Sequence, residues 1–167
     1  LAARTESSTN RVELVRSAAA VVTEQALKDA ITRALELPAD PLEAGRALGT
    51  TGFSLHSVGI CTWAFVNGAT LHDALRLVIR AGGDTDTHGA IVGGWSGALF
   101  GDAAVPPSLV ASLARGPFGA RHLDGLAHAL ASGAPAPSWS ATVALLRNLA
   151  LYPVVLAHGL RRLIPFG

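Results

Sequence analysis

Cysteine occurs once in the 167 residues, at Cys61, so no disulfide can form within the chain and the cross-linked framework of a small secreted domain is excluded. Methionine is missing altogether, and the sequence begins Leu1-Ala2-Ala3-Arg4. That start predicts a piece excised from a longer polypeptide, with no signal peptide apparent in it, and the single cysteine fits a reducing, cytoplasmic setting. Aromatic residues make up 5% of the chain and charged residues 15%, with a formal net charge of +1. The basic residues are scattered, so the stripe that grips a nucleic acid is lacking and no such partner is expected. Cys61 has no basic neighbour at helical spacing and reads as a small core residue, not a nucleophile. His122 and His128 come without the cysteines or the H-E-x-x-H pattern of a zinc site.

What is present is apolar and small. Half of the residues are hydrophobic, many of them alanine and leucine at steps of three and four, which predicts an all-α fold with a sizeable core. From Asn10 to Glu36 the positions Val12, Val15, Ala19, Val22, Ala26, Ala30 and Ala34 trace one amphipathic helix or a helix pair. Pro38 and Pro41 end it, a short helix Pro41 to Leu48 follows, and Gly49-Thr50-Thr51-Gly52 is a loop. Ser54 to Asn67 reads as a buried helix, and Leu71 to Ala81 as another with Leu71, Leu75, Val78 and Ile79 inward.

The chain then reaches Gly82-Gly83-Asp84-Thr85-Asp86-Thr87. The two glycines permit a bend that ends the helix before them, and Asp86 or Thr87 is the expected N-cap of the helix after it. In that helix Gly89, Gly93, Gly97 and Gly101 recur every four residues. Each glycine costs a helix about 0.5–1 kcal/mol relative to alanine, so the pattern predicts a central, fully buried helix packed closely by its neighbours. Asp84, Asp86 and Thr87 are hard oxygen donors that suit Mg2+, Mn2+ or Ca2+. The same residues also cap helices routinely, and spacing alone leaves both roles open.

The motif Gly82-Gly83-Asp84-Thr85-Asp86-Thr87, with Ala90-Ile91, Gly93, Gly97-Ala98 and Gly101, resembles the C-terminal metal motif of the ADP-ribosylglycohydrolase family. Upstream, Gly52-Phe53 and His56-Ser57-Val58 before Trp63-Ala64-Phe65 resemble the loop and helix preceding that motif, and the likeness runs from about Leu48 to Leu130. The resemblance implies a compact helical domain that hydrolyses an ADP-ribose link at the anomeric carbon of the distal ribose. Two Mg2+ or Mn2+ ions would be held in part by Asp84, Asp86 and Thr87, and Gly82, Gly83, Phe53 and His56 would meet the substrate. The implied partners are an ADP-ribosylated substrate or ADP-ribose, and a missing N-terminal part of the same protein. That part would bring the family's acidic cluster and the general acid and base, because no adjacent Asp-Asp pair is present here.

From the residues themselves, Phe53 also reads as a staple or core residue, and His56 as packed or surface-lying. His88 reads equally as an outer-shell hydrogen bonder or substrate contact, or as packing at the helix start.

Residues 1–131 are expected to form the C-terminal part of the family's helical domain, 132–138 a Pro/Ala/Ser linker, and 139–167 an apolar helical segment. Within the first of these, Pro106-Pro107 starts a helix to about Ala114, Gly116-Pro117-Phe118-Gly119 breaks it, and Leu123 to Ala131 is helical again. In the last, Leu145, Leu149, Tyr152, Leu156, Leu160 and Leu163 keep helical spacing. Arg147 and Pro153 interrupt the apolar window a spanning helix needs, so docking on protein is expected and membrane contact is not. An interfacial membrane helix anchored by Trp139 and Arg161-Arg162 is the sharper alternative. Beside the hydrolase stand two other functions: a non-catalytic binding or structural relative, and a membrane-surface or scaffold module built on this last helix.

Overall fold

The structure is a computed structural model describing residues 11–112 and 118–163. Among the described residues it is all-α, as expected, and it divides after Pro106 into two compact units. The first holds α1 (Arg11–Ala20), α2 (Gln25–Glu36), α3 (Pro41–Leu48), α4 (Ser54–Asn67), α5 (Leu71–Ala81) and α6 (Thr85–Phe100). The second holds α7 (Pro107–Ser112), α8 (Ala120–Ser132) and α9 (Ala141–Leu163).

Local chemistry explains why the first unit's helices start and stop where they do. Pro41 opens α3, whose first turn is capped by the Asp40 carboxylate accepting from the Glu43 N–H at 2.8 Å. Thr70 caps α5 by accepting from the Asp73 N–H at 3.1 Å while donating to the Asp73 carboxylate at 2.9 Å. The segment 11–36 is a helix pair, with α1 and α2 parted at 21–24. Their buried residues are Leu14, Val15, Ile31 and Ala34. Leu14 and Ile31 take inward places because their larger side chains remove more apolar area from water than the alanines of the expected stripe.

The centre of this unit is α4, which touches each of the other five helices. Ser57 and the whole run Gly59–Phe65 are buried, and Ile60, Trp63 and Ala64 pack with Ala34, Ala44, Leu48, Ala74, Val78 and Val92. Trp63 is fully enclosed, its indole N–H donating to the Pro38 carbonyl at 2.8 Å. On α5 the inward stripe is Leu71, Ala74 and Val78, whereas Ile79, expected inside, is 57% exposed. Small residues let this helix sit close: a Cβ on Gly68 would lie 2.4 Å from the Ala74 nitrogen.

The glycine-rich helix α6 is therefore not the fully buried centre that its sequence predicted. It buries one stripe, His88, Val92 and Ser96. A Cβ on Gly89 or Gly93 would only just reach the Leu75 side chain, at 4.0 and 3.8 Å, and one on Gly94 or Gly97 would meet nothing. Close packing at its glycines is not what holds α6 in place; the stripe against α4 and α5 is.

In the second unit the expected helix end near Ala114 and the break at 116–117 lie outside the described residues. α8 begins at Ala120, three residues before the expected start, because the Gly119 carbonyl accepts from the N–H groups of His122 and Leu123. Phe118 meets His122 edge-on at 5.2 Å and lies 5.4 Å from Trp139. Residues 133–140 join α8 to α9 within this unit. The α9 backbone passes through Pro153 without a break, and Ala141–Arg161 is long and apolar enough, by length and composition alone, to cross a membrane.

Candidate metal centre

The bend between α5 and α6 is built on its glycines. Gly82 and Gly83 both have left-handed backbone angles, φ 84° and 75°, which residues with a Cβ adopt at a cost. At Gly83 a Cβ would also fall 1.9 Å from the Thr50 carbonyl oxygen. The Asp84 N–H donates to that same oxygen at 2.8 Å, so the bend and the 49–52 loop are fastened backbone to backbone.

α6 starts at Thr85, with Asp84 as its N-cap residue and the His88 N–H donating to the Asp84 carbonyl at 3.0 Å. This corrects the expected start, which placed the cap at Asp86 or Thr87. Both of those lie inside the first turn and are exposed. The Asp84 carboxylate makes no capping hydrogen bond, so the bland role open to it in the sequence is not the one it takes. The Asp84 and Asp86 side chains lie within hydrogen-bond reach of each other. That contact, then the N–H groups of Asp86 and Thr87, holds the Asp86 carboxyl below its ordinary 3.8, with a smaller contribution from the nearby His88.

The 49–53 loop supplies the wall. A Cβ on Gly52 would stand 2.6 Å from an Asp84 carboxylate oxygen, so the glycine leaves that oxygen its space. The Thr51 hydroxyl bonds His56 Nδ1 at 2.8 Å and accepts from the Phe53 N–H at 3.3 Å. Gly49, at φ 79°, would put a Cβ 2.6 Å from the His56 ring. His56 is thereby pinned. Phe53 meets it edge-on at 5.4 Å and is 56% exposed, which removes the core reading of this ring.

His88 resolves as packing between helices. It is fully buried, with Nε2 3.2 Å from the Ser57 hydroxyl and its carbonyl accepting from the Cys61 thiol at 3.6 Å. Its Nδ1 has no partner. Burial pushes the Cys61 thiol up to about 12, in line with an inert core cysteine.

The bend thus adjoins the loop: Asp84 and Asp86 lie together, Thr87 is in the same turn, and Gly82, Gly83, Phe53 and His56 belong to the two segments that meet there. Sequence reasoning missed Thr50, Thr51 and Ser57 as the groups that fasten this arrangement. Ser57 had a visible signal, a hydroxyl in an apolar helix that must find a buried partner. Among the described residues no three His, Cys, Asp or Glu side chains stand close enough to hold a metal by themselves. The donors present are of the right chemistry for Mg2+ or Mn2+, since two carboxylates and a hydroxyl share one turn and the Gly52 cradle keeps one oxygen uncrowded. They fit such an ion as part of a coordination shell.

Comparison with known proteins shows the family of the chain. Over 86 residues, 52% of the chain, it is 30% identical to the ADP-ribosylarginine hydrolase Tri1 of Pseudomonas putida (strain GB-1), and the match spans 22% of that protein's length. No solved structure matches the chain. The sequence profile of the ADP-ribosylglycohydrolases matches residues 1–138. The chain belongs to the ADP-ribosylglycohydrolase family.

Proposed function

We propose that the chain is the C-terminal part of an ADP-ribosyl hydrolase, which breaks the bond between the anomeric carbon of a ribose and its acceptor. The observation carrying this reading is the Asp84–Asp86 pair, two neighbouring carboxyl groups at a helix start, with the Asp84 side chain not used as a cap and one of its oxygens left uncrowded by Gly52. Asp84, Asp86 and Thr87 would hold Mg2+ or Mn2+, two ions in the complete site. Such an ion supplies a Lewis acid and an oriented water when bound. The chain's own residues do the rest of the positioning. The exposed Phe53 ring offers a face to an adenine, His56 is kept in one orientation by Thr51, and the backbone around Gly82 is open to close approach. The general acid and base would come from outside this chain, in keeping with a match covering 22% of the relative's length. That relative's name makes ADP-ribosylarginine the first substrate to try.

Mn2+ titration of the chain with and without ADP-ribose tests the reading. Binding should fall at least about tenfold in Asp84→Asn/Asp86→Asn, the loss expected when charged ligands of a hard cation are neutralised. Unchanged binding in the double variant would refute it. A second reading, a non-catalytic relative that keeps the fold, draws support from the missing third acidic ligand among the described residues. It predicts no turnover of ADP-ribosylarginine even in the complete protein, with a thermal midpoint indifferent to Mn2+.

A further inference from the structure

α9 carries an observation that the family does not account for, because the family match ends at residue 138 and this helix begins at Ala141. Its 23 residues make a rod of about 34 Å, at about 1.5 Å per residue. Leu145, Leu149, Tyr152, Leu156 and Leu160 follow at steps of four, three, four and four, so they share one face. Each is at least 50% exposed. Apolar surface continues round both flanks, where Leu146 is 61%, Leu151 41% and Val155 66% exposed. Only 6% of the Ala141–Arg161 span is buried, so α9 is no ordinary core helix.

The opposite side of α9 holds its basic residues, set among the exposed Val143 and Val154. Arg147, His158 and Arg161 fall together by helical spacing, and no Asp or Glu occurs from Ala141 to Leu163. A protein groove covers a single stripe, whereas the apolar surface here is wider than a stripe and flanked by cationic groups with no anionic ones. Hydrocarbon bounded by anionic headgroups matches both features. An in-plane orientation keeps Arg147 and His158 at the headgroups, whereas spanning would drag Arg147, and the Leu149 carbonyl to which Pro153 has no N–H to donate, into hydrocarbon.

We propose that α9 is a membrane-surface helix that lies in the plane of an anionic bilayer, its Leu145, Leu149, Tyr152, Leu156 and Leu160 face among the acyl chains and its Arg147, His158 and Arg161 face at the phosphates. Trp139, 60% exposed just ahead of the helix, sits where an interfacial indole belongs. Membrane contact, not expected from the sequence, follows from where the apolar residues are exposed.

The test is flotation of the 167-residue chain with vesicles of phosphatidylcholine alone or mixed with phosphatidylglycerol. The chain should float with the anionic vesicles at least about tenfold better than with the neutral ones, as expected of a basic amphipathic helix. Leu149→Glu/Leu156→Glu should abolish flotation with helical circular dichroism retained, and Arg147→Glu/Arg161→Glu should erase the preference for anionic lipid. A chain that stays unbound to both vesicles overturns the proposal, including one that self-associates and so covers the face with a second copy. Flotation untouched by both double variants overturns it, as does resistance to alkaline carbonate extraction, the mark of a spanning helix. None of these readouts involves metal or ADP-ribose, so failure here leaves the hydrolase reading standing, and the reverse.

Discussion

α4 and α9 are both apolar helices, yet α4 buries Ser57 and every residue from Gly59 to Phe65, whereas α9 leaves Leu145, Leu149, Tyr152, Leu156 and Leu160 at least half exposed. Apolar content does not separate them. What does is company: α4 contacts all five other helices of its unit and holds no Asp, Glu, Lys or Arg, while α9 interleaves its leucines with Arg147 and Arg161. Apolar residues at helical spacing therefore announce that something will cover them, not that the rest of the chain will.

Truncating each helix should make the contrast measurable. Trp63→Ala empties the middle of the first unit and should cost roughly 3–5 kcal/mol in urea unfolding, the range for large aromatic truncations. Gly83→Ala comes next. It combines a left-handed backbone with a collision against the Thr50 carbonyl, and should cost roughly 2–3 kcal/mol and weaken Mn2+ binding with it. A smaller effect is expected at Cys61. Its thiol is held protonated in the fold, so the stability it contributes is complete below the ordinary thiol pKa of 9.0 and is lost as pH rises towards about 12. Urea midpoints should fall across that window, Cys61→Ala should flatten the fall, and native Cys61 should resist alkylation at pH 8. Smallest of all, Leu149→Ser should leave stability within about 0.5 kcal/mol, as for surface positions without structural partners. A large loss there would close the gap between the two helices and place α9 in a core.

Where the chain carries strong punctuation, the sequence announced the structure. The bounds of α3, α4 and α5 follow from Pro41, Gly49, Gly68, Thr70 and Gly82, and both the bend and its carboxylates were visible as a motif. Rotation about a helix axis was harder to read. Ile79 and Ala74 are both compatible with an inward stripe on α5, and only the close approach to Gly68 favours the smaller residue. The glycines of α6 suggested crowding because their cost to a helix looked as if it had to be offset, yet none of Gly89, Gly93, Gly94 or Gly97 is pressed by a neighbour. Loop 49–53 was legible as a loop but not as a clamp, since Thr50 acts through its carbonyl, which every residue has.

The bond from the Asp84 N–H to the Thr50 carbonyl has a consequence for anyone wishing to move this chemistry to another protein. Transplanting the glycine bend with its two aspartates would carry the proposed ligands without their address. The portable cassette is discontinuous, residues 49–57 together with 82–88, and a recipient scaffold must already hold two helix starts side by side before either half is useful.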